Sequence, residues 1–230
     1  MEHSATFFSL IPFLKQIPVQ IVAAGCVTAL LLLAATKVYR ELKTPERYVV
    51  PHAQLGITGF FELIVEGTLG VLEGILGKEA KRYLPLIGTV FILILFSNLM
   101  GLIPGLYSPT TNLNTTVAWA SMIFILYNYY GFRAHGLAYL KHFAGPVLWL
   151  APLMLVIEII SHVIRPLSLS LRLFLNMTGD HFVLGIFSNL TYVIIPALFM
   201  ALGIFISLIQ AFVFAMLSTI YIALSTAHEH

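Results

Sequence analysis

Charge is scarce in this chain of 230 residues: Lys, Arg, Asp and Glu make up 10% of it, while 59% is hydrophobic and the mean hydropathy is +0.95. Soluble domains carry about 25% charged residues, so this composition excludes that class. Cysteine is nearly absent. Cys26 alone, in an apolar run, allows neither a disulfide framework nor a CxxC metal site, and its expected role is packing. The sequence also lacks a Gly-rich phosphate loop, a nucleophile elbow, an HExxH motif, an internal transporter-type repeat and any low-complexity linker. Binding of nucleotide, nucleic acid, metal or cofactor by this chain is therefore not expected. The formal charge of +2 says little, because in a membrane protein the placement of Lys and Arg matters more than their sum.

What is present is a series of apolar segments. After a short mixed stretch (1–18), residues 19–36 form a first span that ends in Lys37, Arg40, Lys43 and Arg47 rather than in a cleavage site, which holds that end in the cytoplasm. Residues 55–76 place Glu62, Glu66 and Glu73 on one helical face, which predicts an amphipathic helix lying in the membrane surface. Spans follow at 84–104 and 117–130. The loop between them has no Lys or Arg and is assigned outside; Arg133 and Lys141 return the chain to the cytoplasm. Residues 146–190 contain no convincing break. A single helix of that length would measure about 65 Å against a hydrocarbon core of about 30 Å, so it must tilt or run partly along the membrane. The last helix is expected at 194–224. The fold class is all-α: a single polytopic membrane subunit of about five transmembrane helices plus one interfacial helix, the last two forming a long tilted hairpin. The N-terminus is expected outside and the C-terminus in the cytoplasm.

Within the long segment, Glu158, His162, Arg165, Ser168, Arg172, Asn176 and Asp180 fall in a sector of about 120° on a helix, with apolar residues on the other sides. Glu158 and His162 are spaced to pair with each other, as are Asn176 and Asp180. Arg172 is different. No carboxylate lies three or four residues from it; Asp180 is about 12 Å away along the axis and Glu158 about 21 Å. The spans at 19–36, 84–104, 117–130 and 194–224 hold no Asp or Glu. An arginine near the middle of a bilayer costs about 2.5–3.5 kcal/mol on insertion scales, so one without an internal counter-charge points to a partner. If the turn of the hairpin pivots near Thr191, equal offsets put Arg172 level with Gln210, Asn176 with Ser207, and Asp180 or His181 with Gly203.

The runs SLSLRLFLNM, NLMGLIPG, PTTNLNTTVAWA and QAFVFAMLSTIY occur in an order, and cover a share of the chain, that resemble subunit a of the bacterial F-type ATP synthases. The resemblance implies a stator subunit of the Fo sector, not an enzyme by itself. Such a subunit provides two offset half-channels that carry protons, or Na+, to and from the carboxylates of a ring of c subunits, with peripheral-stalk b subunits and membrane lipid as further partners. It implies a bacterial inner-membrane location. Arg172 matches the family's essential arginine, Gln210 the glutamine opposite it, and Glu158 the carboxylate toward the cytoplasmic half-channel, with His162 and Ser168 beside it. Asn176, Asp180 and His181 lie toward the outer half-channel, with Gly203 and Ser207 in support. The sequence departs from the family pattern at three places. Leu175 stands where glycine is usual, Asp180-His181 replaces a common Gly-Glu pair, and Gly203 stands where many members have histidine.

Two other classes compete. A haem-bearing subunit would need two histidines at one iron, yet His162 and His181 would lie about 28 Å apart on one helix. A self-contained transporter or channel would need its own counter-charge for Arg172 and a complete pore, and neither is visible.

Overall fold

A computed structural model describes residues 17–43, 56–103, 105–136, 139, 151–190 and 194–226. Residues 1–16, Arg47, the segment 146–150, the turn at Thr191 and the tail 227–230 lie outside them. Among the described residues every regular element is helical. The chain divides into two compact units, residues 1–109 and 110–230.

The first unit holds α1 (Val19–Leu42), α2 (Ile57–Leu76), a 3-10 turn (Gly77–Glu79) and α3 (Ala80–Leu102). In α1 the hydroxyls of Thr28 and Thr36 donate to the carbonyls of Ala24 and Leu33 in the preceding turn, which lets polar residues sit in an apolar helix. Its Ile21, Leu30, Leu32 and Leu33 are exposed, which suits lipid rather than water as surroundings. Glu62, Glu66 and Glu73 of α2 are also exposed. Gly77 reverses the chain at φ +57, a conformation that glycine adopts without strain. Phe61 then stacks on Phe96 at 6.2 Å, so α2 doubles back beside α3. Beyond α3, the buried Ser108 hydroxyl donates to the carbonyl of Ser97 at 2.9 Å and ties the outgoing loop to the helix end.

The second unit holds α4 (Leu113–His135), α5 (Ala151–Leu190) and α6 (Ile194–Thr226), each packed against the other two. Asn112 caps α4 by accepting from the Asn114 N–H at 2.9 Å, and Gly136 (φ +57) ends it. Helix α5 runs 40 residues, about 60 Å, and continues through Pro166. Helix α6 runs 33 residues, about 50 Å. Both exceed the thickness of a hydrocarbon core of about 30 Å, so neither fits upright within one.

One buried row on α5, Leu169, Leu173 and Met177, recurs every fourth residue. The buried row on α6 is mostly small: Gly203, Ser207, Ala211, Ala215, Ser218 and Thr219, with Gln210 and Phe214 among them. Small residues let membrane helices approach closely. Where the row is polar, the helix absorbs most of that polarity itself: Ser218 and Thr219 donate to the carbonyls of Phe214 and Ala215, and Ser225 and Thr226 to that of Ile222.

Among the described residues four helical stretches are long and apolar enough to cross a membrane: Val19–Leu42, Ile57–Leu102, Pro152–Ser188 and Ile194–Thr226. Helix α4, at 23 residues, has the length for a crossing. It also carries Asn114, Thr115, Thr116 and Asn128, which lower its hydropathy.

Candidate ion-translocation site

The polar residues of α5 form three groups along one helix. From Glu158 to His181 they extend over about 35 Å, close to the thickness of a hydrocarbon core.

The central group is Arg172, Asn176 and Gln210. Asn176 Nδ2 donates to Gln210 Oε1 at 2.7 Å, across the hairpin from α5 to α6. Gln210 is 3% exposed, so this amide is fixed deep between the helices. Arg172, partly exposed, takes part in no ion pair or hydrogen bond among the described residues. Ser168, one turn before it, is also partly exposed, whereas Ser170 is buried and bonds the Leu167 carbonyl.

The expected register of the hairpin is corrected by one turn. Asn176, not Arg172, meets Gln210, and Phe187 stacks on Phe199 at 4.6 Å in the same register. Equal offsets from these two contacts put Arg172 level with Phe214, Asp180 with Ile206, and Gly203 with Val183, a shift of about 6 Å. The reason is that α5 stays helical through Leu190, so the chain reverses later than a turn centred on Thr191 would have it.

The second group lies at the Glu158 end. The expected pairing of Glu158 with His162 gives way to two others. Glu158 Oε1 is 3.5 Å from Arg165 Nη2, two turns along α5, and the Arg165 guanidinium lies over the Tyr221 ring of α6 at 5.7 Å. His162, buried, turns to α4. Its Nε2 is 2.8 Å from Asn128 Oδ1 and 3.4 Å from the Tyr127 hydroxyl, and the rings of Phe124 and Tyr127 meet the imidazole edge-on. Tyr139, beyond the end of α4, donates its hydroxyl to the same Asn128 oxygen at 3.1 Å. Burial pushes the Tyr139 phenol above its ordinary value, against the pull of the Arg165 charge, so it remains a protonated donor.

The third group is Asp180 and His181. Asp180 Oδ2 and His181 Nε2 are buried without a hydrogen-bond partner among the described residues, as are Thr178 Oγ1, Ser207 Oγ and Gln210 Nε2. No hydrogen bond joins Asp180 to Asn176; the Asn176 amide nitrogen donates to Gln210, and Asp180 Oδ2 has no partner among the described residues. Leaving such groups dry costs free energy, so their sites call for polar company. Gly203 and Ser207 are both buried on the facing row of α6. Leu175 is 59% exposed, directed away from the hairpin seam.

Among the described residues no cluster of three or more His, Cys, Asp or Glu is placed to hold a metal ion.

Residues 19–223 match the family described as ATP synthase A chain. The chain is a member of that family. It is 49% identical to an ATP synthase subunit a of Geobacter sulfurreducens over 175 residues, covering 76% of each chain. It is 46% identical to that of Bdellovibrio bacteriovorus over 186 residues, covering 80% of this chain and 81% of the other. Against that of Trichlorobacter lovleyi the identity is 44% over 210 residues, covering 91% and 88%. The match spans both units, and with the apolar helices it makes this ATP synthase A chain family member a multi-pass membrane protein.

Asn128, Tyr127, Tyr139 and Tyr221 are absent from the site as read from sequence. The signal for Asn128 was there: it is a lone amide in an otherwise apolar and aromatic stretch of α4, and such a group needs a partner. Which helix supplies that partner is a tertiary fact that no local spacing encodes.

Proposed function

We propose that this chain is the Fo stator subunit, carrying ions between two offset aqueous half-channels and a rotating ring of c subunits, and so coupling ion flow to ATP synthesis. One observation carries the reading: Arg172 sits amid apolar helix without a counter-charge among the described residues of its own chain. A carboxylate on a passing ring subunit supplies that counter-charge. Guanidinium stays protonated, so Arg172 attracts a deprotonated carboxylate without relaying a proton, and blocks direct leakage from one half-channel to the other.

Magnitudes set a condition on this contact. At 4 Å and an effective dielectric constant near 20 the attraction is about 4 kcal/mol, whereas 100 mV of membrane potential supplies about 2.3 kcal/mol per charge. The pair must be hydrated or short-lived for the ring to turn. The Asn176–Gln210 bond stiffens the hairpin one turn away and keeps the seam from shifting as the ring passes.

In this reading Glu158, His162 and Ser168 belong to the cytoplasmic half-channel, and Asp180 and His181 to the outer one. The unpartnered polar atoms around Asp180, His181 and Ser207 support a hydrated outer route. The N-terminus is outside and the C-terminus cytoplasmic in a bacterial inner membrane, with b subunits of the peripheral stalk as further partners.

The test is Arg172→Ala in the assembled complex. ATP-driven ion pumping into inverted membrane vesicles should be abolished while the complex still assembles; normal pumping would remove the central claim. Repeating the wild-type measurement with and without sodium identifies the ion. Ion flux through this subunit reconstituted alone would favour a self-contained channel instead.

A further inference from the structure

The contacts around Asn128 determine the chemistry of His162. Asn128 Nδ2 donates to the Phe124 carbonyl one turn back, at 2.7 Å. A flipped amide would set its oxygen against that carbonyl oxygen, so Oδ1 is the atom that faces α5. This oxygen already accepts from the Tyr139 hydroxyl at 3.1 Å, and it lies 2.8 Å from His162 Nε2. Oδ1 can only accept. His162 Nε2 must therefore carry a hydrogen, and in the neutral ring the lone pair is on Nδ1.

We propose that Asn128 is a positioning residue for proton exchange at His162: it holds the imidazole as the Nε2–H tautomer, so that Nδ1 takes up and returns the proton beside Glu158. The inference deepens the reading given above, since it places an exchange group on the Glu158 side of the route. A proton that adds to the Nδ1 lone pair makes imidazolium, and its departure restores the neutral ring. The Nε2–H donates to Asn128 in both states, so the exchange leaves that bond intact and needs no ring rotation.

The surroundings fit that role. Among the described residues the ionisable groups near His162 are Glu158 and Arg165 on α5, Tyr127 on α4, Tyr139 beyond it, and Tyr221 on α6. Glu158 and Arg165 lie one turn to either side of His162 along α5 and pair with each other at 3.5 Å, so a carboxylate and a guanidinium flank the imidazole on its own helix. Tyr139 reaches Asn128 because Gly131 leaves it room. A Cβ at Gly131 would fall 2.6 Å from the Tyr139 ring.

Three variants of the assembled complex test this by ATP-driven acidification of inverted vesicles across about pH 5 to 8. His162→Gln keeps an N–H donor for Asn128 but cannot bind a proton; pumping should fall at least about tenfold. Asn128→Asp keeps the acceptor and adds a negative charge; pumping should persist with its pH profile displaced to higher pH. Asn128→Leu removes the acceptor and should reproduce the His162→Gln profile. A wild-type rate and profile in His162→Gln, or an unchanged profile in Asn128→Leu, overturns the inference. Nitrogen-15 NMR of histidine in the wild-type complex needs no variant to assemble: neutral His162 should be protonated at Nε2, and a proton at Nδ1 would overturn the inference by itself. Sodium pumping without acidification would also overturn it while leaving the stator reading intact. If Arg172→Ala pumps normally, the stator reading fails whatever His162 does.

Discussion

Asn176 and Gln210 join the two long helices by an amide–amide bond of 2.7 Å, one turn away from Arg172. The Gln210 oxygen is therefore already engaged by Asn176, and Arg172 makes no ion pair or hydrogen bond among the described residues.

Disulfide trapping reads that register directly. With Cys26 replaced, cysteines at 176 and 210 should cross-link with a short reagent in membranes, as should cysteines at 187 and 199. The pair at 172 and 210 should link more slowly. The reverse order on gels would show that the helices sit one turn from where Asn176 and Phe187 place them.

Arg172→Lys should fail nearly as completely as Arg172→Ala. A flexible ammonium lacks the planar fork and can lose its proton when desolvated, whereas guanidinium cannot. Measured as growth on a non-fermentable substrate and as coupled pumping, a lysine variant near wild type would show that a bare positive charge is enough.

Gly131→Ala should loosen the Tyr139 contact. The new methyl would lie 2.6 Å from the ring, and relief of such overpacking costs about 1–3 kcal/mol. The cheaper escape is for Tyr139 to swing out and release Asn128. The pH profile of pumping should then resemble that of Tyr139→Phe. Identical wild-type profiles in both variants would show that the Tyr139 bond is dispensable.

Asp180→Asn should slow ion flow by removing an exchangeable proton, and Gly203→Leu should block it by filling the α6 side of the hairpin. Gly203 is level with Val183, about 4.5 Å along from Asp180, so the leucine obstructs the end of that route rather than the carboxylate itself. Wild-type flow in an assembled Gly203→Leu complex would leave Gly203 as plain helix packing.

The architecture was legible because lipid imposes it: apolar runs of the right length, interrupted by basic clusters, leave little choice but membrane helices. Arg172 was legible for the same reason, since an arginine in such a run with no carboxylate three or four residues away is conspicuous. The pairings were not. Spacing i to i+4 offered Glu158 with His162 and Asn176 with Asp180, and the fold uses neither, because stronger or better-placed partners exist elsewhere: Arg165 for Glu158, Asn128 for His162, Gln210 for Asn176. The register slipped because it hung on the turn, and each residue by which the turn is displaced moves the facing residue by two.

The hydroxyls along α6 show how far composition and chemistry diverge. Ser218, Thr219, Ser225 and Thr226 are satisfied by carbonyls of their own helix, so toward α5 and α4 they present little more than the bulk of small side chains. Serine, threonine and alanine should thus be interchangeable there, each swap close to silent, and a water path drawn by counting polar letters would run down a wall whose hydroxyl hydrogens are already given to its own backbone. Gln210 and Ser207 are different: each buries a polar atom that its own helix leaves unanswered. A serine-to-alanine scan of α6 should therefore be flat except at one step, and that step marks where the wall becomes a conduit.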